Sequence, residues 1–325
     1  MTGTTVPPVG EFAPGTTVPV EEFATGFLRT AVHADDHGYV WVRRPGADRP
    51  APLTPPSPPV RDAIRSLEPE RPFLALPEAV GDALYYRVRG AVAVAKLCVG
   101  SDPRLTPDRV TPAMVGTGHA LRRLHTADPS LVTSGPPGPA RLAAWMRGGR
   151  GPRAATAFHT VARRRLGTAR WSRVEGWCAS LATDLADGVP LHGAPSLGSV
   201  IAGDVQGSGC LLTGEDVARG PADFDFGWLL GEFAEWRMTI LRRSPGLIMD
   251  PRDYHAALGG LCQAYGAPAD PVAAGRAAVL RVFTHAHDFA AYMGWHAELL
   301  EYASSVAELI DEDGAQALSG PLSVL

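Results

Sequence analysis

Carboxylates are the side chains here with the clearest chemical potential. Glu215 and Asp216 stand side by side at the end of Leu211-Leu-Thr-Gly-Glu-Asp216, and Asp204 sits in Ala202-Gly-Asp-Val-Gln-Gly-Ser-Gly-Cys210. Carboxylates in such positions can ligate a hard divalent cation or orient a hydroxyl, the two tasks on which phosphoryl transfer depends. Each has a plainer reading. Thr213-Gly-Glu-Asp216 also reads as an acidic turn, and the Asp204 segment as a hairpin turn between two short strands, where Gly, Ser and Asp collect. A second feature is cationic. Between Arg141 and Arg173 there are nine arginines and no acidic residue, including the run Arg163-Arg164-Arg165. Such a stretch is either a solvated helical face or a docking surface for an acidic peptide or a phosphorylated group, since guanidinium forks suit both anions. Trp145, Trp171 and Trp177 interleave with it, as partner anchors or as core at helical spacing.

The segment Leu191-His-Gly-Ala-Pro-Ser-Leu-Gly-Ser-Val200 gives these residues a frame. It resembles the catalytic loop of the aminoglycoside phosphotransferase and choline kinase-like family, His-Gly-Asp-x-x-x-x-Asn-hydrophobic, at His192, Gly193, Gly198 and Val200. The resemblance puts the family's catalytic Asp on Ala194 and its metal-binding Asn on Ser199. Without a gap, it puts the second metal-binding Asp on Thr213 and a structural Asp on Asp225, in Gly220-Pro-Ala-Asp-Phe-Asp-Phe226. Alanine can neither orient an acceptor nor hold Mg²⁺, and neutral hydroxyls replace charged oxygens poorly at a hard cation. A competing alignment sets the catalytic Asp on Asp204 and the second metal position on Asp223, at the cost of the loop histidine. His192, Gly193 and Asp225 are expected to hold the loop together, with His192 hydrogen-bonded near Asp225. Met114–His125, ending in Leu-x-x-Leu-His, resembles the helix that precedes the loop in this family.

What the resemblance implies is a kinase-like frame with a lost or rebuilt site. Two residues compete for the strand cation that pairs with nucleotide phosphates: Lys96, the chain's only lysine, in Gly90-Ala-Val-Ala-Val-Ala-Lys96, and Arg43 in Val40-Trp-Val-Arg43. Only the Arg43 placement leaves room for the family's helix and further strands, and an arginine there is not equivalent to a lysine. No phosphate-cradling glycine-rich loop precedes Tyr39. The expected function is that of a pseudokinase: a substrate-binding or partner-activating subunit of a natural-product or regulatory pathway, with no metal, ATP or other cofactor. The alternative is an atypical phosphotransferase that uses Mg and ATP, with Asp204, Glu215 or Asp216 rebuilt into the site, acting on Ser or Thr of a precursor peptide or on a small-molecule hydroxyl. Asp225-Phe-Gly-Trp-Leu-Leu-Gly-Glu232 is also similar to kinase-like proteins of actinobacterial class V lanthipeptide pathways, a similarity that covers about a third of the chain. It implies a peptide substrate or a partner enzyme.

The elements that must position these residues read as a two-lobed α/β (α+β) kinase-like fold. Its 325 residues, 45% apolar, suffice for two lobes with a packed core. A net charge of -4 argues against nucleic acid as partner, and no apolar run is long enough to span a membrane. Four single cysteines and an N-terminus unlike a signal peptide favour the cytoplasm. Residues 1–20 are expected as a flexible arm, 21–99 as a mostly β N-lobe, and 100–325 as a helical C-lobe whose degenerate loop spans 191–200. In detail, a short helix is predicted over Val20–Thr30, strands over Gly38–Arg44, Phe73–Val80 and Leu84–Val99, and a helix over Val60–Leu67. Helices are predicted near 138–148, 155–187, 227–243, 252–266 and 271–311. Segments 200–203 and 209–213 are predicted to form a hairpin.

Overall fold

A computed structural model describes residues 17–68, 72–98, 107–203, 209–241 and 251–319. Asp204 and most of the expected N-terminal arm lie outside them. The N-terminal half opens with three antiparallel strands, β1 (Val18–Ala24), β2 (Leu28–Asp35) and β3 (Gly38–Pro45). Helix α1 (Pro58–Leu67) follows the proline-rich loop, then come β4 (Leu74–Ala75), β5 (Glu78–Val80), β6 (Ala83–Val88), β7 (Val92–Ala93) and the short helix α2 (Val94–Cys98). One sheet runs in the order β1-β2-β3-β6-β5.

Two of these short strands join the lobes. In the second half, β8 (Val189–Leu191) leads to the catalytic-loop frame, followed by β9 (Val200–Ala202), β10 (Cys210–Leu212) and β11 (Ala218–Gly220). β9 and β10 pair antiparallel, as the hairpin pattern predicts. β4 adds parallel to β10 and β7 antiparallel to β9, giving a mixed sheet β4-β10-β9-β7 that carries strands of both lobes. A two-stranded ribbon of β8 and β11 holds the far side of the loop.

The rest is helical: α3 (Val110–Leu124), α4 (Pro137–Gly148), α5 (Ala155–Thr183, kinked at Gly167), α6 (Asp223–Leu241), α7 (Pro251–Tyr265), α8 (Pro271–Tyr292), α9 (Glu298–Asp311) and α10 (Ala315–Ser319). Trp145, Phe158, Trp171 and Phe283 stack in its core. Two of the three tryptophans considered as partner anchors are therefore interior. Trp177 is half-buried and lies under Arg173 and Arg276.

Four expectations are corrected. Val20–Thr30 is not a helix but most of β1, a turn and the start of β2, because Val18–Ala24 pairs antiparallel with β2 along its length. The strand expected through Val99 stops at Ala93, and Lys96 lies on α2. The single helix expected over 271–311 is two, broken at Met293–Trp295, where Gly294 takes a φ of 123°. The expected arm boundary after residue 20 falls inside β1.

Candidate functional site

The loop between β8 and β9 is held by two carboxylates of α6. Asp225, in the first turn of α6 and fully buried, accepts from the backbone N–H of His192 at 2.7 Å and of Gly193 at 2.9 Å. It also accepts from His125 Nε2 at 3.1 Å. Three donors thus converge on one carboxylate and tie the loop and α3 to the start of α6. The ring of His192 goes elsewhere: Nε2 donates to the carbonyl of Leu212 at 3.0 Å, tying the loop to β10. The ring against Asp225 thus belongs to His125, the last residue of the Leu-x-x-Leu-His signal. Glu232 on α6 adds a second clamp, accepting from the Leu197 backbone N–H at 2.6 Å while paired with Arg281.

Inside this scaffold the three substituted positions are chemically quiet. Ala194 offers a methyl group. Ser199 is buried and its hydroxyl serves the turn, donating to the Ser196 carbonyl at 2.9 Å and accepting from the Ser196 N–H at 3.0 Å. Thr213 is completely buried and donates to the Leu211 carbonyl at 2.8 Å.

Of the two strand cations, Arg43 lies in the cleft and Lys96 does not. Lys96 pairs at the surface with Glu21 of β1 at 2.6 Å. Arg43, on β3, pairs with Glu215 at 2.9 Å, both side chains about nine-tenths buried. Glu215 also accepts from the Tyr86 hydroxyl at 3.0 Å. Burial works against charge on Arg43, but Glu215 more than offsets it and the guanidinium pKa is raised. Burial likewise opposes the Glu215 anion, and Arg43 and Tyr86 together hold its pKa below the usual carboxylate range. Asp216 behaves oppositely: burial and the neighbouring Glu215 charge push its pKa up. It makes no hydrogen bond or ion pair with the described residues. No group of three His, Cys, Asp or Glu side chains with metal-site geometry occurs among them.

Two residues back along the same face of β3, toward the segment that links the lobes, stands Trp41. Its indole is buried among Tyr86, Val88, Ala93, Ile201, Cys210 and Leu212. The indole N–H donates to the Gly90 carbonyl at 2.9 Å. The β1–β2 turn above it is equally self-sufficient. Thr25 N–H donates to Leu28 O at 2.9 Å and Gly26 N–H to Tyr292 O of α8 at 3.0 Å. Phe27 and Leu28 N–H both donate to Thr25 Oγ1, at 3.1 and 3.2 Å. Sequence reasoning missed Trp41, Tyr86 and Arg49. The available signal was the period of two along β3, which places Trp41 on the face of Arg43.

The arginine-rich stretch is largely used within the chain. Arg141 pairs with Asp288, Arg153 with Asp48, Arg170 with Asp311 and Arg173 with Asp313. Arg163, Arg164 and Arg165 are exposed. Arg163 lies over the Trp171 ring at 4.9 Å and Arg165 donates to Ser304 at 3.1 Å.

A small β-rich lobe, a helical lobe and a His-Gly loop clamped by an α6 carboxylate define a protein-kinase-like fold. It is the fold of spectinomycin phosphotransferase, solved in complex with ADP and spectinomycin, at 10% identity and a TM-score of 0.50 over 91% of this chain and 92% of that one. It is also the fold of an ethanolamine kinase from Plasmodium vivax, at 8% identity and a TM-score of 0.50 over 91% of this chain and 82% of that one. No protein-family model matches the chain, and no curated protein matches it. No helix among the described residues is long and apolar enough to cross a membrane.

Proposed function

We propose that this chain is a pseudokinase: a kinase-fold protein that binds a substrate or a partner without transferring phosphate. The observation that carries the reading is the buried Arg43–Glu215 pair, closed at 2.9 Å. Arg43 commits Nη1 to Glu215 and Nη2 to the Gly198 carbonyl, and Glu215 is held in turn by the Tyr86 hydroxyl, so both members of the pair are engaged within the chain. The surroundings agree. The Trp41 indole, on the Arg43 face of β3, is buried and tied to the Gly90 carbonyl, and the β1–β2 turn has spent its N–H groups within the chain. Ala194, Ser199 and Thr213 supply neither a base nor a charged metal ligand. The described residues do not make a Mg-ATP site.

The role that remains for such a fold is recognition, of a peptide substrate or of an enzyme of the same pathway. Arg163, Arg164 and Arg165, exposed on one helix, are the proposed place to seek that partner. Calorimetric titration of the full chain with Mg-ATP tests the first half of the reading. The expected result is no saturable heat, and a melting point that moves by less than about a degree at millimolar nucleotide. A ligand at 100 times its dissociation constant stabilises by roughly 2.7 kcal/mol. A shift of several degrees, with phosphate appearing on a hydroxyl acceptor, would establish the atypical phosphotransferase instead.

A further inference from the structure

Around Phe27, in the β1–β2 turn, stand polar groups that the Arg43–Glu215 pair does not use. Arg49, in the loop after β3, and Arg141, on α4, bring their guanidiniums to the same ring: 4.1 and 4.6 Å from the centre of Phe27. Arg49 spends its Nε on the Ala51 carbonyl at 3.0 Å, and its two terminal nitrogens have no hydrogen-bond partner among the described residues. Arg141 gives Nη2 to Asp288 at 2.7 Å, while its Nε is buried with no partner. Two half-buried cations share one aromatic ring with donors left over, although like charges at short range repel. The cost is visible in Arg49, whose pKa is lowered by burial and by Arg141, against the pull of Asp216 and Glu215.

Groups of the opposite kind border these arginines. Asp216 has no hydrogen bond to the described residues, yet the charges of Arg141 and Arg49 both act on it. His192 spends Nε2 on the Leu212 carbonyl, and its buried Nδ1 has no partner. The site therefore offers several unspent guanidinium donors and, beside them, acceptors suited to a hydroxyl or ammonium group.

We propose that Arg49 and Arg141, with Asp216 and His192 beside them, form a binding site for a phosphate monoester that carries a hydrogen-bond donor next to its phosphate. Guanidinium forks match phosphate oxygens, and the Phe27 face keeps both forks in place. The site uses none of Ala194, Ser199 and Thr213 and stands whether or not the chain takes nucleotide.

Inorganic phosphate is the simplest probe, titrated into the full chain without nucleotide at low ionic strength and followed by calorimetry and melting temperature. Saturable binding that weakens with added sodium chloride is expected. Arg49→Gln should weaken it about tenfold or more, the scale of a lost charge-assisted contact. Asp216→Asn removes the adjacent negative charge and should tighten it about threefold. Arg65→Gln, on the exposed face of α1, should change nothing. No phosphate binding by the parent chain, or equal binding by Arg49→Gln, would overturn the site. Should Arg49→Gln fail to fold, Asp216→Asn decides alone: tighter binding supports the site, and unchanged or weaker binding overturns it. Failure here is distinct from failure of the pseudokinase reading, because saturable Mg-ATP binding that survives Arg49→Gln would contradict only the latter.

Discussion

Asp225 is where a single residue does most to shape the site. It alone accepts from two loop N–H groups and from His125, in a place with no exposure to water. Asp225→Ala leaves two buried donors and a ring nitrogen without an acceptor, which should cost about 3–5 kcal/mol, a large part of the stability of an ordinary domain. Asp225→Asn keeps the shape and one carbonyl oxygen, and should cost less. Urea unfolding of both variants checks this, and a loss below about 1 kcal/mol in the alanine variant would mean the loop holds itself. The role of Asp225 was legible in the sequence because it follows the His-Gly frame at a fixed distance along one continuous segment. The partner of the His192 ring was not legible. It is the Leu212 carbonyl, whose position depends on how β10 pairs with both β9 and β4. The Arg43–Glu215 pair was half legible: both residues stood out, but nothing local says that a cation on β3 will meet a turn 172 positions away.

Helices and strands show where local patterning runs out. α3, α4 and α7 carry clear periodicity and fall close to their expected bounds. Val20–Thr30 carries apolar residues at spacings that fit a helix or a strand, and only pairing with the rest of the sheet decides between them. Val94–Cys98 is apolar and β-branched at its start, yet it turns helical where Ala95 N–H bonds to Leu197 O across the lobes. Close crossing of α6 and α8 is a further non-local fact, and it makes a test. A Cβ built on Gly227 of α6 would overlap the carbonyl oxygen of Ala274 on α8. By helix propensity alone, Gly227→Ala should stabilise by about 1 kcal/mol. The overlap is with backbone, which cannot rotate away, so the helices must separate and the net effect should be a loss of about 1–3 kcal/mol. Thermal unfolding gives the sign directly, and a stabilised variant would show that α6 and α8 lie further apart than described.

At the scale of the molecule, the lobes meet in the shared sheet, at the Gly26–Tyr292 backbone bond, and through Arg43 and Glu215. The pair can be tested as a clamp with a double-mutant cycle. Arg43→Met alone leaves a buried, unpaired Glu215, and Glu215→Gln alone leaves a buried, unpaired Arg43; each should cost about 3–5 kcal/mol. Combining them removes both charges while the Gln carbonyl still accepts from Tyr86, so most of the loss should return and the cycle should show strong coupling. Acid gives a second reading. The folded-state pKa of Glu215 is lowered, so its contribution is fully present above its unfolded value of about 4.3 and is lost as pH falls through the lower folded value. The advantage of the parent chain over either single variant should therefore hold at neutral pH and shrink below about pH 4. Unfolding followed by tryptophan fluorescence and by far-ultraviolet dichroism should give one coincident transition in the parent, as expected of lobes that melt together. If the double variant loses as much as the two single variants combined, Arg43 and Glu215 act independently, the cleft is not held shut by their pairing, and Arg43 is free to receive phosphate.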